Sequence, residues 1–210
     1  MNLAITHFCR LRTDFNQRDC IHIQTADQTH VLKNDFLELY KQLNIDYPKY
    51  FKMDAVSKYG VLAAEYALKV AFENRAYAET QVGIVLSNAT GSLDTDAEFQ
   101  KTINNKDNFF PSPAIFVYTL SNIVMGELCI KYKIKGENMF FLSESIQAQL
   151  MESYVLDLFE RNKIETAVVG WVECTNGKPD VLLLLVEKKQ TKSNLDLTFT
   201  STQIEILYQL

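Results

Sequence analysis

Two apolar stretches, "TAVVGWVE" (166–173) and "DVLLLLVEK" (180–188), constrain the fold more than any other feature of this chain. Neither shows the period-2 alternation of a strand with one face in water, so both faces of their sheet must be covered. Asn176–Gly177 and Pro179 supply the turn that joins them. Three more strand patterns occur, "CIHIQTA" (20–26), "VGIVLSN" (82–88) and "NMFFL" (138–142). Helical patterns lie between them, which gives a layered α/β fold with a mixed five-stranded sheet and helices on both faces.

The helices are read from period and caps. "NDFLELYKQL" (34–43) has Asn34 as its cap, and "DAVSKYGVLAAEYALKVAFEN" (54–74) is amphipathic. Thr95 and Glu98 have capping-box spacing for a helix through about Ile103. "PSPAIFVYTLSNIVMGELCIKYKI" (111–134) opens with Pro113 in a first turn and continues as one buried helix. "SIQAQLMESYVLDLFERN" (145–162) follows the strand 138–142 directly.

A chain of 210 residues is one domain by length, and 1–50 reads as an N-terminal extension built from a strand or hairpin layer and a short helix. The formal net charge of −5 argues against a nucleic-acid partner. Lys131, Lys133 and Lys135, and likewise Lys188, Lys189 and Lys192, read as solvated faces. The longest purely aliphatic run, "VLLLLV" (181–186), is far short of the ~20 residues that span a membrane, and the N-terminus lacks a signal-peptide stretch. The four cysteines have no metal-site or disulfide spacing and read as reduced thiols of a cytoplasmic protein. No motif calls for a metal or cofactor, since G-x-G-x-x-G, the P-loop and H-E-x-x-H are all missing. Asp94, Asp96 and Glu98 suit a helix start, Trp171 a core position, and Cys129 an inert buried thiol.

Four segments in order resemble the N-terminal half of the beta-ketoacyl synthases, members of the thiolase-like superfamily. "KMDAVSKYGVLAAEYAL" (52–68) resembles the family's Met-Asp helix, and "VGIVLSNATGSLDTDAEF" (82–99) its first core strand and Gly turn. "PSPAIFVYTLSNIVMGELCIKYKIKGEN" (111–138) resembles its helix before "KGPN", and "TAVVGWVE" its "AGGAE" strand. The resemblance implies a thiolase-like half-fold over about two-thirds of the chain. It also implies that Ser145 stands where the family carries a nucleophilic Cys, at an elbow before a helix. The family's chains run to about double this length, and their second half supplies two catalytic histidines. His7, His22 and His30 all precede the elbow and match neither.

A Cys at a helix N-terminus gains thiolate character from the dipole and free amides, but a serine hydroxyl starts far higher and needs a base. Glu144 beside Ser145 is a poor base, because its charge would repel a developing oxyanion. Ser and Glu are also what helix N-termini favour, so 143–145 reads as a cap in the place of a lost nucleophile. The resemblance therefore implies a non-catalytic synthase-like subunit, similar to a chain-length factor, in bacterial fatty-acid or polyene/polyketide synthesis. Its implied partners are an acyl carrier protein, docked on Lys131, Lys133 and Lys135, and a synthase. The alternatives are a Ser145-dependent acyltransferase or synthase completed by a partner, and a lipid- or thioester-binding module. The apolar residues of 145–162 spread around the helix, which implies a homodimer or a heterodimer with a full-length synthase to cover them.

Overall fold

The computed structural model describes residues 2–14, 17, 19–73, 77–188 and 197–210. Lys189 and Lys192 of the second lysine cluster, and Asn74 at the end of the 54–74 helix, lie outside the described residues. Eight strands form one sheet: β1 (Leu3–Thr13), β2 (Cys20–Gln24), β3 (Thr29–Lys33), β4 (Val82–Asn88), β5 (Asn138–Leu142), β6 (Thr166–Thr175), β7 (Lys178–Lys188) and β8 (Leu197–Thr198). Their spatial order is β3-β2-β1-β7-β6-β4-β5, with β8 beside one end of β1. β4, β5 and β6 run parallel to one another, and every other pairing is antiparallel.

The fold class is the one the sequence implies, but among the described residues the sheet has eight strands and not five. The largest addition is β1, which lies inside the sheet between β2 and β7 and so ties residues 1–50 into it. Its alternation is hidden by a register shift between Ile5 and His7. Leu3 and Ile5 face one core, whereas Cys9 and Leu11 face the other, because a one-residue bulge exchanges the faces of everything beyond it. The β6–β7 turn is as read, with Asn176 at φ 52° and Gly177 at φ 69°, the left-handed pair that matches strand twist.

Among the described residues seven α-helices flank the sheet: α1 (Phe36–Gln42), α2 (Ala55–Glu73), α3 (Leu93–Ile103), α4 (Pro113–Phe116), α5 (Ile123–Tyr132), α6 (Ala148–Glu160) and α7 (Ser201–Gln209). α2 and α5 pack on one face, over Ile84, Leu86, Val168 and Leu183. α6 and α7 cover the other, over Val85, Val169, Leu182 and Leu184. Both faces of β6 and β7 are thus buried, which is why those strands carry no alternation. No single helix among the described residues is long and apolar enough to cross a membrane.

Three boundaries differ from the sequence reading. Asp35, not Asn34, caps α1, accepting from the amides of Leu37 and Glu38, while Asn34 accepts from the Tyr59 hydroxyl. α3 begins at Leu93, so Thr95 sits inside its first turn, where its hydroxyl donates to Asp54. The single helix expected over 111–134 is broken into two arms bent by 97°. At the break Leu120 is extended, its carbonyl accepts from both the Ser92 hydroxyl and the Ile123 amide, and Ser121 packs against the positive-φ Gly91.

Candidate functional site

The C-terminal ends of parallel strands are where open α/β sheets place their sites. Here that end carries the corner between β5 and α6. Ser143 leaves the sheet with its amide still donating to Asn88 O at 3.0 Å. Its hydroxyl then donates to Ser145 O at 2.9 Å. The Gln147 side-chain amide donates to the same carbonyl at 3.1 Å and to Ser145 Oγ at 3.3 Å. These bonds hold 143–147 in a turn and delay the helix to Ala148.

The capping role expected of Ser145 and Glu144 is therefore not what the corner shows. The cap position belongs to Gln147, which makes no side-chain capping bond. Ser145 and Glu144 are both exposed, and no hydrogen bond joins them. No general base approaches Ser145 from the histidines. His7, His22 and His30 lie on β1, β2 and β3, and β7, β6 and β4 separate β1 from β5. At about 4.8 Å per strand, even β1 is roughly 19 Å from β5.

The three lysines differ in their ion pairing. Lys131, in the last turn of α5, pairs with the buried Glu65 at 2.9 Å. Glu65 also accepts from the Tyr132 hydroxyl at 2.8 Å and pairs with Lys69 at 3.4 Å. This group lines a cleft of about 520 Å³ between the ends of α2 and α5, whose rim includes Lys133, Asp46 and Glu73. Lys135 pairs with Glu79 at 2.6 Å. Lys133, the left-handed C-cap of α5, is exposed.

Several polar groups escaped the sequence reading. Glu173 closes β6 and accepts from the amides of Ala89 and Thr90 at 2.9 Å and from the Thr90 hydroxyl at 2.6 Å, which clamps the turn after β4. The signal for it was a lone carboxylate ending an apolar run. Glu127, almost fully buried on α5, holds Lys49 at 2.8 Å and the Tyr118 hydroxyl at 3.0 Å. Arg10 is buried under α7, paired with Asp180 at 2.6 Å and with the Tyr208 ring 4.5 Å away. Trp171 is buried, as its position in an apolar run implied. Burial pushes the Cys129 thiol up to about 11, which keeps it protonated and inert. No group of three or more His, Cys, Asp or Glu among the described residues could hold a metal ion.

The layers and the corner define the class: a mixed sheet between two helix layers, with a strand–turn–helix corner at the ends of its parallel strands. No family model matches the chain, and no curated protein matches it. Solved structures do. One is described as "The ishigamide ketosynthase/chain length factor", at TM-score 0.63 and 16% identity over 91% of this chain and 63% of that one. A second, described as "AntDE:AntF (apo): type II PKS acyl-carrier protein in complex with its ketosynthase bound to the hexaketide", gives TM-score 0.58 and 12% identity over 90% of this chain and 63% of that one. A third, "Ketosynthase (ApeO) in Complex with its Chain Length Factor (ApeC) from Xenorhabdus doucetiae", gives TM-score 0.61 and 14% identity. It covers all of this chain and 91% of that one, so the matched chain is close to this one in size. This chain therefore has the thiolase-type fold of the ketosynthases and chain length factors, and it spans less than two-thirds of the first two chains it matches.

Proposed function

We propose that this chain is a non-catalytic, ketosynthase-like subunit that works beside an active ketosynthase and an acyl carrier protein in fatty-acid or polyene/polyketide synthesis. The observation that carries this reading is the corner itself. By the resemblance Ser145 stands where the family carries a nucleophile, yet among the described residues its hydroxyl meets the Gln147 amide and no base, and the chain's histidines lie strands away. A serine without a base does not attack a thioester at a useful rate. The match over all of this chain to a structure described as a ketosynthase in complex with its chain length factor supports the same reading.

The partner's seat is the free edge of β5. Among the described residues this strand pairs with β4 alone, so the other row of its backbone donors and acceptors has no strand partner there. Leu142 on it is 58% exposed, and Leu120, Val117 and Phe116 of the bent segment are exposed as well. Leu142 and Ser121 both approach Gly91, which places the bent segment against the strand end. An open edge flanked by exposed aromatic and aliphatic side chains is a surface built for a protein partner. Of the three lysines, Lys133 is the one left to meet an acidic carrier, because Lys131 and Lys135 are paired.

The test is intact-mass spectrometry after incubation with acyl-carrier thioesters, with and without a ketosynthase. The expected result is acylation of the ketosynthase's own cysteine and none on this chain. An acyl adduct on Ser145 would overturn the reading and make the corner an active site. Charge reversal at Lys133 is expected to weaken carrier binding, and unchanged binding removes that residue from the docking surface.

A further inference from the structure

α7 lies on the same sheet face as α6 and buries Ile204 and Leu207 there, with Phe199 just ahead of it. It is tied down at both ends. The Ser201 amide donates to Glu152 of α6 at 2.7 Å, and the Phe199 amide donates to Leu3 O at 2.9 Å. At the other end the Tyr208 hydroxyl donates to Asp180 at 2.5 Å, while Arg10 Nε donates to Tyr208 O at 2.8 Å. Beneath this latch sits Trp171, 3% exposed, its ring 6.4 Å from that of Tyr208.

The outward side of the α6–α7 layer is polar: Gln149, Ser153, Asp157, Thr202, Glu205 and Gln209 are all exposed. Leu150 and Ile206 are its exposed large hydrophobic residues. Two isolated aliphatic side chains among charges and amides do not make the core of a stacking interface.

We infer that α7 is a built-in cap that finishes the second face of the sheet, so that no further layer of protein stacks on α6–α7. A partner then meets the chain at the β5 edge, and no residue from a layer stacked over α6–α7 reaches Ser145. The statement about the partner rests on the proposed function; the statement about the cap does not.

Trp171 is the single tryptophan of the chain, so its fluorescence reads the cap directly. In the intact protein its emission is expected at short wavelength with little acrylamide quenching, and the α7 amides are expected to exchange as slowly as those of β6. Tyr208→Ala is expected to raise the quenching constant at least threefold while far-UV circular dichroism is retained. Free quenching of Trp171 in the unaltered protein, or fast exchange throughout α7, would overturn the cap. Should Tyr208→Ala not fold, Tyr208→Phe keeps the ring and removes the bond to Asp180; exchange of the last turn of α7 is expected to rise at least threefold, and an unchanged rate counts against the latch. The surface arm uses Ser153→Arg with Glu205→Arg, which is expected to change ketosynthase binding less than twofold. A tenfold loss would show that a partner does stack there. If no ketosynthase binds at all, the proposed function fails, and the fluorescence and exchange arms still decide the cap.

Discussion

At the scale of single residues, the chain concentrates its polar bonds where segments distant in sequence must be held together. Arg10 is the clearest case. It is 4% exposed and its carboxylate partner Asp180 34%, so removing the guanidinium leaves a partly buried charge behind. Such losses reach about 3–5 kcal/mol when both groups are buried. With Asp180 partly in water, Arg10→Met is expected to lower stability by about 2–3 kcal/mol, measured by urea denaturation. Asp54 gives a pH-dependent prediction. Burial raises its carboxyl above the ordinary value, against the opposing bonds from Ser57 and Thr95 and the Lys58 charge. The folded chain therefore holds that proton more tightly than the unfolded one. Its contribution is fully present below the ordinary carboxylate pKa and declines as pH rises through the raised one. Asp54→Asn is expected to remove this decline, so that the variant's stability between the two values changes less with pH than the parent's.

At the scale of elements, periodicity made some features legible and tertiary bonds hid others. The β6–β7 hairpin was readable because both its faces are buried and Asn-Gly gives the turn its backbone. α2 was readable from its length and period. β1 was not, because its bulge reverses the pattern and a buried Arg10 reads as solvent-facing. The break in 111–134 falls at Leu120, whose carbonyl also accepts from Ser92, 28 residues upstream, a contact that no local pattern announces. At the corner, the strand and the placement of Ser145 in the turn before the helix were legible. The cap was not, because Gln147 folds back onto Ser145 instead. The same logic makes the hairpin testable. A Cβ at Gly170 would stand 2.2 Å from Leu182 O and 2.7 Å from a Leu183 methyl. Gly170→Ala is therefore expected to cost about 1–3 kcal/mol of stability through overpacking, read as a lowered urea midpoint with little change in slope.

At the scale of the whole molecule, helices cover both faces of a sheet whose edge strands, β3 and β5, each pair on one side only among the described residues. The spread of apolar residues in 145–162 implied that a second protein must cover that helix. The structure covers it from within. Ala148, Met151, Val155, Leu158 and Phe159 all face the sheet, α7 packs beside them, and Leu150 is the large side chain left exposed. The case for a partner therefore moves to β5. A charge there should blunt the edge, as natural edge strands are blunted. Leu142→Lys is expected to weaken self-association or ketosynthase binding at least tenfold while leaving the urea midpoint within experimental error of the parent. Analytical ultracentrifugation of both proteins at micromolar concentration checks it.

The central position of β1 also bears on how the chain acquires its shape during synthesis. Residues 3–13 are made before the other strands of the sheet, yet one of their neighbours is β7, and the bond from Arg10 to Tyr208 O spans 198 positions. A nascent chain on the ribosome can pair β1 with β2 and β3 early, but its other edge stays bare until about residue 188 has emerged. Sheets closed by such distant pairings form slowly and expose sticky edges while they wait. During translation the β7-facing edge of β1 is therefore bare for longer than the edge that β2 takes.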